Sequence, residues 1–383
     1  MTTFGQFSDG YLPILDGVAQ VVHNYAYWLQ KKWGQSYVVA SDEANSDADQ
    51  IYKVMRYFSI PIPFHNPYRL GIPQFDIGRV HKINQIPFDL IHCHTPFSAG
   101  NLGLRIARTR GIPIVGTFHS KYRDDLLQVL PSQHIADFVA YSVASFYEKM
   151  DEVWIPEISS EKTLRDYGYR GSTILMENGV DFVKQPNGIT AHYREALHIG
   201  NDKRVLLYVG QHDWKKNLRF LIEALSHLND IPFVMLFVGK GPAEKEMQEL
   251  VHELKLDDKV LFMGPIHDRE KMRKIYGAAD LFLFPSLYDS SPLAIREAAF
   301  MNIPTLLLAS STIAQQIHDG VNGFLAGSTS VEYAKKIRII LMLGTEKIKE
   351  VGYQASQTLS KPWETIVDKA HDRYMNLIRK NKS

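Results

Sequence analysis

The sequence predicts an α/β protein built from two similar domains, each a parallel sheet covered by helices. Short, nearly continuous apolar runs alternate with segments whose apolar residues recur at helical spacing, a pattern typical of strands buried on both faces. A polar stretch at residues 181–202, which includes Pro186, Asn187 and Gly188, interrupts this alternation near the middle of the chain. The length of 383 residues also favours two domains over one.

The first half of the chain begins with a predicted helix and continues with strands. The helix at residues 18–33 carries Val21, Tyr25 and Leu29 on one face. Apolar runs predict strands at residues 35–40, 89–94, 112–119, 152–155 and 173–176. Because helices and strands alternate, we predict a doubly wound, Rossmann-like domain over residues 1–190.

The second half repeats this pattern after a joint at residues 190–203. Strands are predicted at residues 204–210, 232–238, 259–263, 280–284 and 304–308, with a helix at residues 218–228. We predict a second Rossmann-like domain over residues 200–360 that faces the first across a cleft, where a ligand binds at the carboxyl ends of the strands. An apolar stripe that begins at Trp363 predicts a terminal helix docked on one of the domains.

Composition excludes several classes of protein. The 43 Lys and Arg residues nearly balance the 42 Asp and Glu residues, which argues against a dedicated nucleic-acid-binding protein. The single cysteine, Cys93, leaves neither an internal disulfide nor a cysteine-based zinc site. The first residues lack the regions of a signal peptide, and apolar runs such as residues 281–287 are too short to span a membrane. We therefore expect a cytoplasmic protein.

The segment after the predicted strand 280–284 is the strongest candidate site. Small polar residues and Pro292 precede a helix there, so that free backbone N–H groups and the helix dipole favour an anion. Asp289 and Glu297 lie at the two ends of this segment. The alternative interpretation is an ordinary capped helix with a partly buried glutamate.

Two further loops of the second half follow strands. Lys215 and Lys216 lie in the loop at residues 210–217, where an ammonium group can neutralise a diphosphate, although a solvated lysine pair is the alternative. Gly239 and Gly241 form a Gly-x-Gly motif, but no third glycine follows at the required spacing. The motif is therefore weak support for a nicotinamide oxidoreductase and better suits a loop close to another nucleotide.

Histidines lie at the ends of two strands in the first half. Strand alternation puts His92 and His94 on one face, and His119 ends the next strand. A metal site is conceivable, but no carboxylate follows at a ligand spacing, so hydrogen bonds to a polar ligand are favoured. Gly17, at the start of the first helix, is a further place where backbone can approach a phosphate.

In this order along the chain, the segments resemble glycosyltransferase family four. These are retaining nucleotide-sugar transferases whose two Rossmann-like domains form the GT-B fold. The resemblance covers almost the whole chain and rests on residues 16–18, 91–96, 117–119, 177–181, 210–217, 238–242, 285–297, 303–304 and 319–324. It implies that the helix at residues 363–380 packs back on the first domain.

The resemblance also implies a role for each candidate residue. The catalytic residues would be His119, which contacts the sugar, Lys216, which neutralises the diphosphate, and Asp289, which lies near the transferred sugar. The donor-binding residues would be Gly17, Gln211, Gly241, Ser290, Ser291, Leu293 and Glu297, the last of them on the ribose hydroxyls. No metal and no separate cofactor is implied, because a lysine and helix N-termini hold the charge of the leaving group.

Two positions depart from the pattern of the family. Gln211 stands where Arg is common, so leaving-group stabilisation rests more heavily on Lys216, and Asp289 is one methylene shorter than the usual Glu. We predict a hexosyltransferase that uses UDP-glucose or a similar UDP-hexose. The alternative is a non-catalytic glycosyltransferase-like partner subunit that binds a nucleotide sugar without turnover.

The acceptor is either a diacylglycerol-type lipid or a saccharide. Residues 1–180 contain 16 Lys or Arg against 18 Asp or Glu, so the first domain as a whole is not a basic membrane-docking surface. A local patch leaves peripheral contact with the inner face of the membrane open; it comprises Arg105, Arg108, Arg110, Lys121 and Arg123. We expect the neighbouring Leu102, Leu104 and Ile106 to be core residues.

Overall fold

The computed structural model of the chain consists of two compact units. It describes residues 1–14, 17–42, 50–62, 69–119, 121–129, 132–182, 194–195, 197, 199–200, 202–266, 268–287, 289 and 291–382, with residues 125, 128 and 129 described by their backbone alone. The first unit comprises Met1–Asn178 and Trp363–Ser383, and the second comprises Gly179–Pro362. Much of the predicted joint at residues 190–203 lies outside the described residues.

The first unit is built on a parallel sheet. Its strands are β1 (Thr2–Ser8), β2 (Gly34–Ser41), β3 (Lys53–Tyr57), β4 (Ser59–Pro61), β5 (Arg69–Gly71), β6 (Leu90–Cys93), β7 (Ile114–Thr117), β8 (Glu152–Ile155) and β9 (Ile174–Leu175). Its helices are α1 (Gly17–Lys32), α2 (Ile77–Gln85), α3 (Ser98–Arg110), α4 (Tyr122–Val129), α5 (Gln133–Tyr147) and α6 (Ile158–Asp166). The sheet has the order β3-β2-β1-β6-β7-β8-β9, and β4 and β5 form a separate antiparallel hairpin.

The strand order of this sheet reverses between β1 and β6, the point at which doubly wound folds bind ligands beyond the carboxyl ends of the strands. The predicted runs coincide with β2 and β6 to β9, so these strand predictions are confirmed. The strands β1 and β3 were not predicted. The burial of Phe4 and Phe7 shows why β1 nevertheless lies at the centre of the sheet, since both side chains are removed completely from solvent.

The second unit repeats the architecture. Its strands are β10 (Arg204–Val209), β11 (Phe233–Val238), β12 (Val260–Gly264), β13 (Leu281–Phe284), β14 (Thr305–Leu308) and β15 (Phe324–Ala326). Its helices are α7 (Leu218–Ser226), α8 (Glu244–Glu253), α9 (Arg269–Ala278), α10 (Leu293–Phe300), α11 (Ser330–Met342) and α12 (Thr345–Thr358). All six strands are parallel, in the order β12-β11-β10-β13-β14-β15.

The core of the second unit follows from the apolar runs of the sequence. The predicted strands coincide with β10 to β14 and are confirmed, whereas the short strand β15 was not predicted. The helix α7 buries Leu218, Leu221, Ile222 and Leu225 completely, as its helical spacing predicts. Because β10 and β13 are parallel neighbours, the loops that follow them lie side by side.

The C-terminal helix α13 (Trp363–Lys382) belongs to the first unit and packs on α1 and the sheet. Tyr374 stacks on Trp154 with ring centroids 5.2 Å apart and planes within 8°. At the surface, Lys32 forms ion pairs with Glu364 and Asp368 at 3.0 and 2.7 Å. Within the described residues, no helix combines the length and the apolar character needed to cross a membrane.

Candidate active site

Lys216 and Asp289 form an ion pair where the loops after β10 and β13 meet. Lys216 Nζ lies 2.5 Å from Asp289 Oδ1, and the two side chains are only 12% and 18% exposed. Lys216 ends a 3-10 turn, Trp214–Lys216, whose start is capped by Asp213 through a hydrogen bond from the backbone N–H of Lys215 at 3.0 Å. The structure therefore brings together two of the three predicted catalytic residues.

A second contact ties these two loops together. Asn217 adopts the left-handed backbone conformation, with φ of 61°, and its side-chain Nδ2 donates to the carbonyl of Pro285 at 3.2 Å. Asparagine tolerates this conformation better than most residues. On the other side of the site, Thr312 Oγ1 donates to the carbonyl of Asp289 at 3.0 Å. The backbone is thus held at Pro285 and at Asp289 by side chains from two neighbouring loops.

Two buried oxygen atoms of this segment have no hydrogen-bond partner among the described residues. They are Asp289 Oδ2 and Ser291 Oγ. The helix α10 starts at Leu293 after Pro292, and no described side chain caps it. Buried polar groups normally have partners, so unsatisfied oxygens beside an uncapped helix start indicate room for a ligand with hydroxyl groups and negative charge. Ser290 lies outside the described residues.

Glu297 is held by residues that the sequence analysis did not single out. Arg269, the first residue of α9, donates to Glu297 Oε1 at 2.6 Å, and Tyr276 Oη donates to Oε2 at 2.8 Å. Arg269 also pairs with Asp181, and its guanidinium lies 4.3 Å from the centre of the Phe182 ring. Both oxygens of the Glu297 carboxylate are therefore fixed in position.

The surroundings of this carboxylate are partly buried and strongly charged. Burial lowers the pKa of Arg269, but the neighbouring Glu297 and Asp181 outweigh burial and raise it. Burial raises the pKa of Tyr276, and the charge of Glu297 raises it further. Arg269 thus stays cationic and Tyr276 stays a hydrogen-bond donor. No sequence pattern identifies either residue, because α9 and α10 meet only through tertiary packing.

Gly239 and Gly241 allow two loops to pack closely. A Cβ atom at Gly241 would collide with the backbone of His212, and one at Gly239 would collide with the carbonyl of Gly210. The φ of Gly239 is also +140°, a conformation that favours glycine. The backbone N–H of Ala243 donates to the carbonyl of His212 at 2.9 Å, which shows how close the loops are. The fold alone thus accounts for the Gly-x-Gly motif.

Gln211 and Gly17 lie at positions where the described residues leave room for a ligand. Gln211 is exposed, and its one hydrogen bond to another described residue is accepted by its backbone oxygen from Tyr208 Oη at 3.1 Å. Gly17 is the first residue of α1, and a Cβ placed on it would have no described atom within 4 Å. Its predecessor Asp16 lies outside the described residues. Neither residue has a structural role that would compete with ligand binding.

His119 lies just beyond β7 in the first unit and is partly exposed. Its Nε2 is 3.1 Å from His94 Nδ1, and His94 Nε2 is 2.9 Å from Gln6 Oε1. His92 is bonded through Nε2 to Thr117 Oγ1 at 2.7 Å and through Nδ1 to Tyr374 Oη at 2.6 Å. The shared face predicted for His92 and His94 is confirmed, since their rings lie 4.0 Å apart.

The expectation that His92 and His94 bind a polar ligand is wrong. Both side chains are completely buried, and all four ring nitrogens are bonded to protein atoms, which leaves no lone pair for a ligand or a metal. Among the described residues, no group of three or more His, Cys, Asp or Glu side chains is suited to hold a metal ion. Of these histidines, His119 alone remains a candidate for ligand contact.

Burial accounts for the charge state of these rings. It lowers the pKa of His119 to about 3 and the pKa values of His92 and His94 well below the usual range. The neighbouring histidines lower the values for His92 and His94 further. All three imidazoles are therefore neutral near pH 7, where each has one N–H donor and one acceptor nitrogen.

Two doubly wound units, each built on a parallel sheet with polar loops at the carboxyl ends of its strands, define the GT-B class of glycosyltransferases. The structure is similar to that of Anabaena HepE in complex with UDP and glucose, with a TM-score of 0.76 and 19% identity over 97% of this chain and 99% of the other. This likeness shows the fold. The predicted fold class, with its two Rossmann-like domains, is confirmed.

Sequence comparisons give the family. A family model described as "Glycosyltransferase Family 4" matches residues 15–184, and one described as "Glycosyl transferases group 1" matches residues 190–358. The chain belongs to this family of GT-B glycosyltransferases, as its motifs predict, and acts on a nucleotide sugar, which is its substrate.

Two relatives of known name are similar over most of the chain. Alpha-monoglucosyldiacylglycerol synthase of Streptococcus pneumoniae is 26% identical over 84% of this chain and 74% of its own length. GDP-mannose-dependent alpha-mannosyltransferase of Corynebacterium glutamicum is 23% identical over 97% of this chain and 88% of its own length. The first name describes the synthesis of a monoglucosyldiacylglycerol, and the second describes a mannosyltransferase that depends on GDP-mannose.

Proposed function

We propose that this protein transfers a hexose, with retention of anomeric configuration and without a metal ion, from a UDP-hexose such as UDP-glucose to a hydroxyl group of an acceptor. The observation that carries the proposal is the largely buried pair of Lys216 and Asp289 beside the uncapped start of α10. A nucleoside diphosphate leaves with increasing negative charge, and a fixed cation next to free backbone N–H groups stabilises that charge. Retention rests on membership of the family.

Lys216 and Asp289 bind different parts of the donor in this proposal. The ammonium group of Lys216 moves from the carboxylate to the diphosphate when the donor binds, which leaves both oxygens of Asp289 to accept hydrogen bonds from sugar hydroxyls. Ser290, Ser291 and Leu293 present backbone N–H groups to the phosphate and the sugar. Because Gln211 is uncharged, Lys216 carries most of the electrostatic stabilisation of the leaving group.

The remaining donor contacts are assigned by the same reasoning. Glu297 accepts hydrogen bonds from the ribose hydroxyls while Arg269 and Tyr276 keep its orientation. Gly17 lets the diphosphate approach the start of α1, because no side chain occupies that space. Gly241 shapes the loop beside the nucleotide, and His119 contacts the transferred sugar.

For the acceptor, we propose a diacylglycerol-type lipid at the inner face of a membrane rather than a saccharide. The name of the pneumococcal relative supports this acceptor class. The first unit adds an exposed group of large apolar side chains around the β4–β5 hairpin and the start of α2, which we call the apolar edge. It comprises Phe58, Ile60, Leu70, Phe75 and Ile77, which are between 41% and 81% exposed.

The elements that carry the apolar edge are connected to each other. Ile60 and Leu70 face each other across the hairpin, and the backbone N–H of Phe58 donates to Asp76 Oδ2 at 3.0 Å, which joins the hairpin to α2. A cavity of about 250 Å³ beside Ile77 is lined by Arg105. In the part of the chain that the structure describes, neither Arg105 nor the exposed Lys82 forms an ion pair, so both are available to anionic headgroups.

Most arginines of the basic patch predicted from the sequence bind other groups of the protein. Arg108 donates to the carbonyl of Lys149 at 2.6 Å, Arg110 donates to the carbonyl of Ile86, and Arg123 pairs with Asp137 at 3.0 Å. Leu102 and Ile106 are buried, and Leu104 packs against the same core, as predicted. Of this patch, Arg105 lies next to the apolar edge and supports membrane contact.

A screen of donors and acceptors tests the proposed function. The purified protein is incubated with UDP-glucose, UDP-galactose, UDP-N-acetylglucosamine or GDP-mannose, each with diacylglycerol in vesicles or with soluble saccharides, and released nucleoside diphosphate is measured. We expect UDP release that depends on diacylglycerol. Release with GDP-mannose alone, or with saccharides alone, would contradict the proposed donor or acceptor. Saturable binding of a nucleotide sugar without release would favour the non-catalytic partner subunit.

Membrane contact is tested separately. Co-sedimentation with vesicles of phosphatidylcholine and phosphatidylglycerol is compared for the wild type and the double variant Phe75→Ser/Ile77→Ser, which alters side chains 78% and 81% exposed. Met342→Ser is the matched control, because Met342 is 78% exposed on α11. We expect the double variant alone to lose binding. Equal binding of all three proteins would contradict the proposed role of the apolar edge.

A further inference from the structure

The three side chains of Gln6, His94 and His119 form a hydrogen-bonded chain at one end of the first sheet. They come from β1 and from the ends of β6 and β7, which are consecutive neighbours in the sheet. Gln6 and His94 are completely buried, whereas His119 is partly exposed. The chain therefore runs from the interior of the first unit to its surface.

The partners in this chain determine where the protons lie. The carbonyl oxygen of Gln6 only accepts, so His94 Nε2 carries the proton of that hydrogen bond. A neutral His94 has one proton, so its Nδ1 accepts, and the donor is His119 Nε2. Burial keeps both rings neutral by lowering their pKa values. His119 Nδ1 is then left as an acceptor whose lone pair has no partner among the described residues.

The packing around His94 prevents the ring from turning over. The ring of His92 lies 4.0 Å from it and that of Tyr25 lies 5.6 Å from it. The planes of the His94 and His119 rings are within 18° of each other, as a hydrogen bond in the plane of both rings requires. A turned His94 ring would break both of its hydrogen bonds inside the core.

We propose that Gln6 and His94 are positioning residues that fix His119 as the Nε2–H tautomer, so that its Nδ1 accepts a hydrogen bond from a hydroxyl group of the sugar. The assignment rests on the proposed function, in which His119 contacts the sugar. Its consequence is specificity for a hydroxyl group, because a hydroxyl donates to the lone pair whereas a carboxylate at the same place repels it.

The tautomer is measured directly by nuclear magnetic resonance. Long-range ¹H–¹⁵N correlations of ¹⁵N-histidine-labelled protein distinguish protonated from unprotonated ring nitrogens, and the variants His94→Asn and His119→Asn assign the signals. We expect a protonated Nε2 and an unprotonated Nδ1 for both residues without any donor present. A protonated Nδ1 on His119 in the wild type would overturn the proposal.

The variant Gln6→Leu tests whether Gln6 sets this state. The substitution removes Gln6 Oε1, the acceptor for His94 Nε2–H. We therefore expect the proton of His94 to move from Nε2 to Nδ1, where it is donated to His119 Nε2. The proton of His119 then moves from Nε2 to Nδ1. Thr117→Val is the matched control, because Thr117 is also buried and bonds to His92, which does not belong to the hydrogen-bonded chain of Gln6, His94 and His119. We expect the tautomer of His119 to change in Gln6→Leu and not in Thr117→Val. An unchanged His119 in folded Gln6→Leu would contradict the proposal.

Kinetics separate this proposal from the proposed function. We expect Gln6→Leu to raise the KM for the sugar donor about tenfold, as the loss of one hydrogen bond predicts, while Thr117→Val leaves it unchanged. If the tautomer changes in Gln6→Leu but neither this variant nor His119→Asn affects the donor KM, the role of His119 in sugar binding is wrong, although the tautomer assignment stands. If no donor is turned over at all, the resonance measurement still decides the tautomer.

Discussion

Lys216 Nζ lies 2.5 Å from Asp289 Oδ1, and this ion pair joins loops that are 73 positions apart in the chain. The pair is possible because β10 and β13 are neighbouring parallel strands whose carboxyl ends lie at the same edge of the sheet. At 12% and 18% exposure, solvent screens these charges only partly. The carboxylate therefore holds the ammonium group in place before a donor arrives.

Substitution of Asp289 is expected to affect stability and activity together. Asp289→Asn leaves the ammonium of Lys216 partly buried without its charged partner, so we expect unfolding to become easier by about 2 kcal/mol and turnover to fall. Asp289→Glu keeps the charge and supplies the residue usual in the family, and we expect it to retain activity. Urea unfolding and nucleotide release measure both effects. An Asp289→Asn variant as stable and active as the wild type would contradict this account.

Loss of the Tyr276 hydroxyl is expected to weaken nucleotide binding. Tyr276→Phe removes the donor to Glu297 Oε2 while Arg269 still holds Oε1, so we expect the dissociation constant for UDP to rise several-fold, as one lost hydrogen bond predicts. Tyr333→Phe is the control, since Tyr333 is equally buried in the same unit and donates to the carbonyl of Leu306 at 2.9 Å. Calorimetric titration with UDP should show the rise in Tyr276→Phe alone.

Two glycine substitutions should have opposite consequences. Gly241→Ala forces a Cβ against the backbone of His212, so we expect a clear drop in melting temperature. Gly17→Ala meets no described atom within 4 Å, so the fold should keep its stability while the affinity for the donor falls. Thermal unfolding and donor titration separate the two cases. If Gly17→Ala binds UDP-glucose as well as the wild type, the diphosphate does not approach α1.

His92, His94 and His119 are expected to make the protein less stable in mild acid. Their pKa values in the folded state lie below the unfolded value of about 6.5, so below that pH the unfolded chain binds protons that the folded chain does not. Each histidine then lowers the free energy of unfolding by about 1.4 kcal/mol per pH unit, an effect that continues for His119 down to about pH 3.

Urea unfolding between pH 7.5 and pH 5 checks this effect. The variant His119→Asn removes one of the three groups, so its stability should fall less steeply with decreasing pH than that of the wild type. An identical pH dependence of the two proteins would show that the folded protein does not keep the His119 ring neutral.

The sequence predicts much of this fold because its strands are buried on both faces. Continuous apolar runs such as those at β10 and β11 fit an α/β domain as strands buried on both faces, so their type and order follow from the pattern of apolar residues along the sequence. β15 is too short, at three residues, to stand out from the loops around it. β1 was not predicted, although its burial is complete at Phe4 and Phe7.

The candidate site also contains contacts that the sequence predicts and contacts that it does not. The proximity of Lys216 and Asp289 follows from the rule that loops after neighbouring parallel strands meet, and the sequence analysis singled out both residues. The bonds of Arg269 to Glu297 and of Tyr374 to His92 depend on how helices pack, and the second joins residues 282 positions apart. For His92 and His94 the strand pattern gave the shared face correctly, but it did not reveal that protein partners take every ring nitrogen.

The most direct test of the account compares turnover by Lys216→Ala and Lys215→Ala with that of the wild type. The two lysines are adjacent, but Lys215 is 26% exposed and its Nζ lies 3.7 Å from Asp213 Oδ2. UDP release from UDP-glucose in the presence of diacylglycerol vesicles is measured at saturating donor. The account predicts that Lys216→Ala lowers kcat more than about tenfold while Lys215→Ala stays near the wild type. Equal rates for the two variants would contradict the assignment of Lys216 as the group that stabilises the leaving diphosphate.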